Sequence, residues 1–159
     1  MTASTAAPNS AVAKAGQREI VASRVFDAPR ELVWKLWTEP EHVAQWWGPN
    51  GFTNTFHEFD LRAGGTWRYV MHGPNGADYP NESVVVEVVK PERIVLEHVS
   101  GPRFRLTITL APEAGKTRIT WRMLFPSAAD CDKVRGLAVP ANEQNLDRLE
   151  ARLAAMARG

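Results

Sequence analysis

The sequence predicts an α+β protein in which a curved antiparallel sheet of about seven strands wraps around a long C-terminal helix. Two short helices are expected between strands 1 and 2. In residues 52–125, apolar residues alternate with polar ones in short segments separated by turns. Residues 27–47 and 142–156 instead carry apolar residues at helical spacing. Since the strands are apolar on one face, the long helix is expected to cover that face.

The first strand and the two short helices occupy the start of the ordered region. "REIVASRVF" is rich in β-branched side chains and predicts strand 1. "FDAPRE" signals a helix start, and Val33 with Trp37 gives that helix an apolar face. Thr38 with Glu41 fits a capping box, which predicts a second short helix carrying Trp46.

Six further segments predict the remaining strands. They read "FTNTFHEFDL", "TWRYVMH", "ESVVVEVVK", "RIVLEHVS", "RFRLTITLA" and "TRITWRMLF". In the second of them Trp67, Tyr69 and Met71 share one face, and in the last Trp121 and Met123 do. The two "GPNG" segments suit β-turns, so neighbouring strands form an antiparallel meander.

The long C-terminal helix is predicted to begin at Asn142, which can cap it, and to end near Met156. Its apolar stripe consists of leucines spaced three and four residues apart. A separate short helix is expected before Gly136 and Pro140.

Length, composition and charge limit the kinds of protein that this chain can be. The chain has 159 residues, 44% of them hydrophobic, and a net charge of +1, which suits one globular domain over residues 18–158. The weak charge argues against nucleic acid as a partner. A tail over residues 1–17 without aromatic side chains is expected to be disordered. No membrane-spanning run and no signal-peptide pattern are found, so a cytoplasmic protein is expected.

Several segments together resemble one known family. "FDAPRELVWKLWTEPEHVAQWWGPNGF", "EFDLRAGG", "PERIVLEH" and "NEQNLDRLEARL" look like the activator of heat-shock protein 90 ATPase homologue family. That family belongs to the START-like helix-grip superfamily, also called SRPBCC or Bet v 1-like. Polyketide cyclases and lipid-transfer domains belong to it as well. The resemblance covers residues 18–157 and implies a deep cavity between sheet and long helix that holds an apolar or aromatic small molecule.

The resemblance and the strand phases together predict which side chains line that cavity. The tryptophan pair and its loop are expected at one end, and the C-terminal stripe as one wall. The predicted lining residues are Trp37, Trp46, Trp47, Phe56, Trp67, Tyr69, Met71, His98, Trp121, Met123, Leu146, Leu149 and Leu153.

Catalytic and metal-binding patterns are weak. His42, His57, His72 and His98 lack the spacing of a metal motif, and the single cysteine, Cys131, rules out a multi-cysteine zinc site. Cys131 lies between two aspartates that oppose thiolate formation, so it is interpreted as unreactive. His98 is in phase with apolar residues of its strand and is expected to point inward, whereas His57 is in phase with Phe59. No catalytic residue, metal or cofactor is therefore predicted.

The sequence alone is compatible with three functions. The first is non-catalytic binding of an apolar or aromatic small molecule. The second is a polyketide-cyclase-like or hydrolase-like enzyme that uses the same cavity, which would need titratable groups converging there. The third is a stress-related co-chaperone, which would need an exposed apolar patch outside the cavity. Pairing of strand edges into a homodimer is compatible with each of them.

Overall fold

The computed structural model describes residues 17–158, in which a seven-stranded antiparallel sheet packs against one long helix. The tail prediction falls mainly on residues 1–16, which lie outside the described residues. The strands are β1 (Glu19–Phe26), β2 (Thr53–Phe59), β3 (Thr66–His72), β4 (Asp78–Val89), β5 (Arg93–His98), β6 (Phe104–Glu113) and β7 (Lys116–Leu124). The helices are α1 (Arg30–Thr38), α2 (Pro40–Trp46) and α3 (Ala128–Arg158).

The predicted topology is confirmed. The strand order across the sheet is β1-β7-β6-β5-β4-β3-β2, so β2 to β7 form a meander and β1 pairs with β7. The two short helices connect β1 and β2, which lie at opposite edges. β2 and β4 each contain a β-bulge, in which one extra residue interrupts the regular register. Such a bulge bends the strand that contains it. The curved sheet and the long helix form the expected helix-grip fold.

The predicted faces of β3 and β7 are also confirmed. Trp67, Tyr69, Trp121 and Met123 are all buried beneath α3 and the short helices. On the opposite face of β7, Arg118 and its neighbours are ion-paired with carboxylates at the sheet surface. Alternation along these strands therefore separates the core from solvent as the sequence indicates.

The predicted phase of His57 is wrong. The β2 bulge lies between Phe56 and Glu58, so His57 is the extra residue. Phe56 and Phe59 then point to the same side, with ring centroids 5.4 Å apart, while His57 is exposed. An inserted residue shifts the alternation by one, which the sequence pattern alone does not reveal.

The predicted start of the long helix is wrong as well. α3 is continuous over 31 residues and contains Pro140, so there is no separate short helix in this segment. Ser127 Oγ accepts a hydrogen bond from the Asp130 amide at 3.1 Å and caps the first turn in place of Asn142. Proline has no backbone N–H, so Pro140 cannot donate the helical hydrogen bond to the Gly136 carbonyl. Both residues are exposed, so water can donate to that carbonyl instead.

The predicted capping box of α2 does not form. The N-cap residue is Glu39, without a side-chain hydrogen bond, and Pro40 occupies the first helical position. The Thr38 hydroxyl instead donates to the Trp34 carbonyl at 2.9 Å, inside α1. Proline at that position already fixes the backbone for a helix start, so α2 forms without the box.

The glycine pair Gly64 and Gly65 before β3 forms a tight connection. A Cβ at Gly65 would lie 2.0 Å from the Asp60 carbonyl oxygen, so no other residue fits there. The Asp60 carboxylate accepts a hydrogen bond from Arg62 at 3.0 Å beside it. This segment shapes the connection at the edge of the sheet, beside an exposed ion pair.

Arg24 ties the edge strand β1 to α3. Its guanidinium donates to Glu143 at 2.9 Å, Asp147 at 2.8 Å and Glu150 at 3.1 Å, which lie on successive turns of the helix. The Arg24 side chain is only 13% exposed, so these pairs are better shielded than ordinary surface salt bridges. They hold the helix against the end of the sheet opposite β2 and β3.

Candidate functional site

A cavity of about 230 Å³ lies between the concave face of the sheet and α3. Strands β3 to β6 form its floor, α3 its roof, and the loop that follows α2 one end. Its lining is mainly apolar, with a few side-chain amides and hydroxyls. The residues that border it are Trp47, Gly48, Pro49, Tyr69, Met71, Asn81, Ser83, Leu96, His98, Pro102, Phe104, Leu106, Ala141, Asn142 and Asn145.

A second cavity of about 450 Å³ adjoins the first and opens at the protein surface. The two share wall residues, among them Met71, Ala141 and Asn142. Leu137, 77% exposed, and Tyr79, 43% exposed, border the outer cavity. The outer cavity therefore has the position and the apolar rim of an entrance to the inner one.

The α2–β2 loop, residues 47–52, is fastened to α3 by polar side chains. Asn145 accepts from the Gly48 amide at 3.2 Å and donates to the Trp46 carbonyl at 3.0 Å. The Arg148 guanidinium donates over 2.9–3.2 Å to five backbone carbonyls, those of Gln45, Trp47, Gly48, Pro49 and Phe52. Burial lowers the pKa of Arg148, since the group is partly removed from water.

Trp47 is the central aromatic residue of the site. Its ring is stacked on Trp121, with centroids 5.6 Å apart and an interplanar angle of 21°. Trp37 and Trp67 meet it edge to face at 6.0 and 5.6 Å. Its indole N–H donates to the Tyr69 hydroxyl at 3.2 Å. Held on these sides, Trp47 presents the rest of its surface to the cavity.

His98 borders the inner cavity but is engaged with the protein. Nδ1 lies 2.7 Å from the Pro102 carbonyl oxygen and donates to it, and Nε2 lies 2.8 Å from Oδ1, the side-chain oxygen of Asn81. The ring also stacks on Phe104, with centroids 4.7 Å apart. Burial lowers the pKa of His98, and the hydrogen bond to Pro102 opposes that effect only in part. The prediction that His98 points inward agrees with this geometry.

The lowered pKa of His98 predicts a pH dependence of stability. The unfolded chain binds a proton near pH 6.5, whereas the folded chain does so only at lower pH. The free energy of unfolding should therefore fall as the pH drops from about 7 to 5. Urea titrations over that range should show a smaller fall for His98→Gln. The exposed His57→Gln variant is the control and should keep the wild-type slope; an unchanged slope in both would contradict the assignment.

The structure divides the predicted lining residues into two groups. Trp47, Tyr69, Met71 and His98 border the inner cavity, and Met71 and Met123 border the outer one. The others do not border either cavity but fill the interior beside them, so they support the wall rather than form it. These are Trp37, Trp46, Phe56, Trp67, Trp121, Leu146, Leu149 and Leu153.

Several residues at the cavity were missed by sequence reasoning. Asn81 was not recognised because β4 begins at Asp78, four residues before the predicted segment. Ser83 lies in that segment but was not predicted to face inward. Its spacing of two residues from the inward-facing Val85 would have indicated this orientation. Asn142 is predicted to cap the start of the long helix, with Ala141 before it, whereas both lie in the middle of α3.

The remaining titratable candidates lie away from the cavity. His72 contacts the Thr55 hydroxyl at 2.8 Å and the Asp78 carboxylate at 2.7 Å, but Asp78 is 64% exposed on the solvent face. A chain of such bonds in open solvent lacks the dry environment that activates a hydroxyl. Cys131 is buried, and that burial raises the pKa of its thiol, with Asp132 adding to the effect and Arg135 opposing it.

The sequence model of one family, "Activator of Hsp90 ATPase homolog 1-like protein", matches residues 27–154. That span includes α1, α2, all strands from β2 to β7 and most of α3. The chain belongs to this family. Among curated proteins, none matches the sequence.

Solved structures share the fold over nearly the whole chain. A protein of Arthrobacter aurescens is 21% identical, with a TM-score of 0.85 over 92% of this chain and 91% of that one. A protein of Chromobacterium violaceum is 27% identical, with a TM-score of 0.73 over 84% and 95%. The AHSA1 protein of Silicibacter pomeroyi is 19% identical, with a TM-score of 0.73 over 87% and 99%.

Two kinds of feature are absent from the described part of the chain. Within residues 17–158 no helix is both long and apolar enough to cross a membrane. The same residues contain no cluster of three histidine, cysteine or carboxylate side chains that could hold a metal ion.

Proposed function

We propose that this protein binds an apolar or aromatic small molecule in the inner cavity and does so without chemical turnover. The observation that carries the proposal is the cavity itself, a largely apolar space beneath α3 that shares wall residues with a second cavity at the surface. Such a concave, mostly apolar site with a few polar groups is the usual form of a small-molecule site.

The charges around the cavity support an uncharged guest. None of the described residues that border either cavity is an Asp, Glu, Lys or Arg. A charged ligand would lose its hydration there without gaining a counter-ion, which is costly. Trp47 and Met71 instead offer a flat aromatic surface and a flexible side chain, which suit an aromatic or alicyclic guest.

The contacts of His98 favour binding over catalysis. His98 is the titratable side chain at the inner cavity best suited to act as a base, and both of its ring nitrogens contact other groups of the chain. A general base needs a nitrogen free to reach the proton that it removes. The cyclase-like or hydrolase-like alternative would require the contact with Asn81 to open first.

The exposed apolar residues favour small-molecule entry over chaperone docking. Leu137 and Tyr79 lie at the mouth of the outer cavity, where a guest would pass. Val86, at 37% exposure, lies in the β4 bulge on its own. A docking surface would call for a contiguous apolar area outside the cavity.

Filling the cavity from α3 tests the proposal. Ala141 borders both cavities, so Ala141→Phe should fill much of the space and weaken binding of the uncharged dye N-phenyl-1-naphthylamine, followed by its fluorescence gain. Ala154→Phe places the same side chain on the exposed face of α3 and should bind the dye like the wild type. We expect an affinity loss of about tenfold or more, equivalent to 1.4 kcal/mol.

Two outcomes would count against the proposal. Equal dye binding by Ala141→Phe and the wild type, with both melting normally, would show that the dye binds elsewhere. Native mass spectrometry of protein purified from its own cells gives the second test. A guest released with a chemically altered counterpart would favour the enzyme alternative, and a co-purified chaperone the other.

A further inference from the structure

The inner cavity contains hydrogen-bond donors that the described residues leave unused. The Tyr69 hydroxyl accepts from the Trp47 indole at 3.2 Å, and no described residue accepts its own proton. Tyr69 is 3% exposed and lies at the cavity wall, so that proton has little access to bulk water. A buried hydroxyl that accepts one hydrogen bond but donates none can donate to an acceptor atom of a bound guest.

Ser83 is a second such donor in the same wall. Its side chain is 3% exposed, borders the cavity, and makes no hydrogen bond to any described residue. The register places Ser83 opposite Trp67 on one side and His98 on the other, and pairs Tyr69 with Asn81. Tyr69 and Ser83 are therefore diagonal neighbours on the inward face of adjacent strands.

Both groups donate, and neither carries a charge. Burial raises the pKa of Tyr69, so its proton is present throughout the physiological range. A carboxylate would satisfy the two donors but would meet no cation among the described residues that line the cavity. A neutral carbonyl oxygen has two lone pairs for such donors and brings no charge into the apolar space.

We propose that the cavity selects uncharged aromatic carbonyl compounds, whose oxygen accepts the hydrogen bond of Tyr69 at the floor of the site. The aromatic body then lies against Trp47 and Met71, and Ser83 provides a second donor in the same wall. This inference rests on the proposed binding function and adds to it the chemistry of the polar end of the guest.

A matched pair of probes isolates the carbonyl. 2-Acetylnaphthalene and 2-isopropenylnaphthalene have nearly the same shape, but the first has a carbonyl oxygen where the second has a methylene group. Titration followed by calorimetry should show the ketone binding about tenfold more tightly. 2-Naphthoate should bind more weakly than the ketone, since its charge has no partner in the cavity.

Substitution at Tyr69 tests the assigned donor. In Tyr69→Phe the preference for the ketone should shrink to the part that the Ser83 hydroxyl still supplies, while the hydrocarbon binds as it does to the wild type. Thr107→Val removes a hydroxyl from the outward face of β6, where it borders neither cavity, and should keep the tenfold preference. Thermal melting of both variants checks that they are folded.

A measurement on the unaltered protein keeps the test independent of the variants. The carbonyl ¹³C resonance of labelled 2-acetylnaphthalene should move downfield on binding, as it does when a ketone accepts a hydrogen bond. Equal affinities of ketone and hydrocarbon, or a carbonyl resonance shifted upfield, would overturn the carbonyl assignment and leave the binding function standing. Failure of both neutral probes to bind would overturn the binding function as well.

Discussion

Replacing Arg148 with methionine is expected to destabilise the protein by about 3 kcal/mol and to weaken ligand binding, because it frees the loop that ends the cavity. The guanidinium supplies donors to five backbone carbonyls between Gln45 and Phe52. Methionine keeps much of the volume of the side chain but none of its donors. The carbonyls would then be left partly buried without partners, which costs more than the loss of an exposed bond.

Comparison with Arg148→Lys separates charge from geometry. Lysine keeps a positive charge but has a single nitrogen with three donors in place of a planar fork, so it reaches fewer of the carbonyls. It should fall between the wild type and Arg148→Met in chemical denaturation. Burial already lowers the pKa of Arg148, so a cation at this position gains little from its charge alone.

The control is Arg122→Met, at a surface arginine paired with Glu19 at 3.2 Å. Exposed ion pairs of this kind contribute less than about 1 kcal/mol. The Gly48 and Asn50 amides donate hydrogen bonds to Asn145 and Gln144. Their hydrogen exchange with solvent should accelerate in Arg148→Met but not in Arg122→Met. If Arg148→Met melts like the wild type, the loop is held by those two side chains without the arginine.

The importance of Arg148 could not be predicted from the sequence, although the fold could. The fold depends on alternation within strands and on leucine spacing within α3, and each of these signals extends over many residues. Arg148 is one polar residue in a helix with many others. Its role arises because α3 passes beside the α2–β2 loop, some hundred positions away along the chain.

Single-residue irregularities explain the local errors. The bulge at His57 reversed the phase of the following residues, and Pro140 suggested a break where α3 continues through solvent-exposed positions. Neither feature alters the general pattern of apolar residues. Both depend on whether the surroundings leave room for one extra residue or for one missing hydrogen bond.

The boundary between core and cavity was the least predictable feature. Periodicity shows that Trp37 and Trp67 face inward, but it does not show whether the space before them is filled. The tryptophans fill most of it, and the cavity lies where side chains are smaller, at Ser83 and Ala141. Large inward residues occur both in the filled core and at the cavity wall, where Trp47 and Tyr69 lie, so the small inward residues distinguish the site from the core.

Replacing Trp121 with alanine is expected to cost about 3–5 kcal/mol of stability, since a buried indole is lost from a packed cluster. Trp121 is 4% exposed and stacks on Trp47, with Trp37 edge-on at 5.6 Å. Its indole N–H has no acceptor among the described residues, so the loss arises from packing and not from a broken hydrogen bond. Urea denaturation measures this cost.

Trp121→Ala should also weaken ligand binding, although Trp121 does not border the cavity. Without its stacked partner, Trp47 can leave the wall, and the loss of such an aromatic pair corresponds to about two- to tenfold in affinity. Trp34→Ala is the control, since Trp34 is 6% exposed in α1 and borders neither cavity. It should lose stability yet bind N-phenyl-1-naphthylamine as the wild type does. If Trp121→Ala also keeps its affinity, Trp121 belongs to the core alone, and Trp47 holds its place through Tyr69 and the loop.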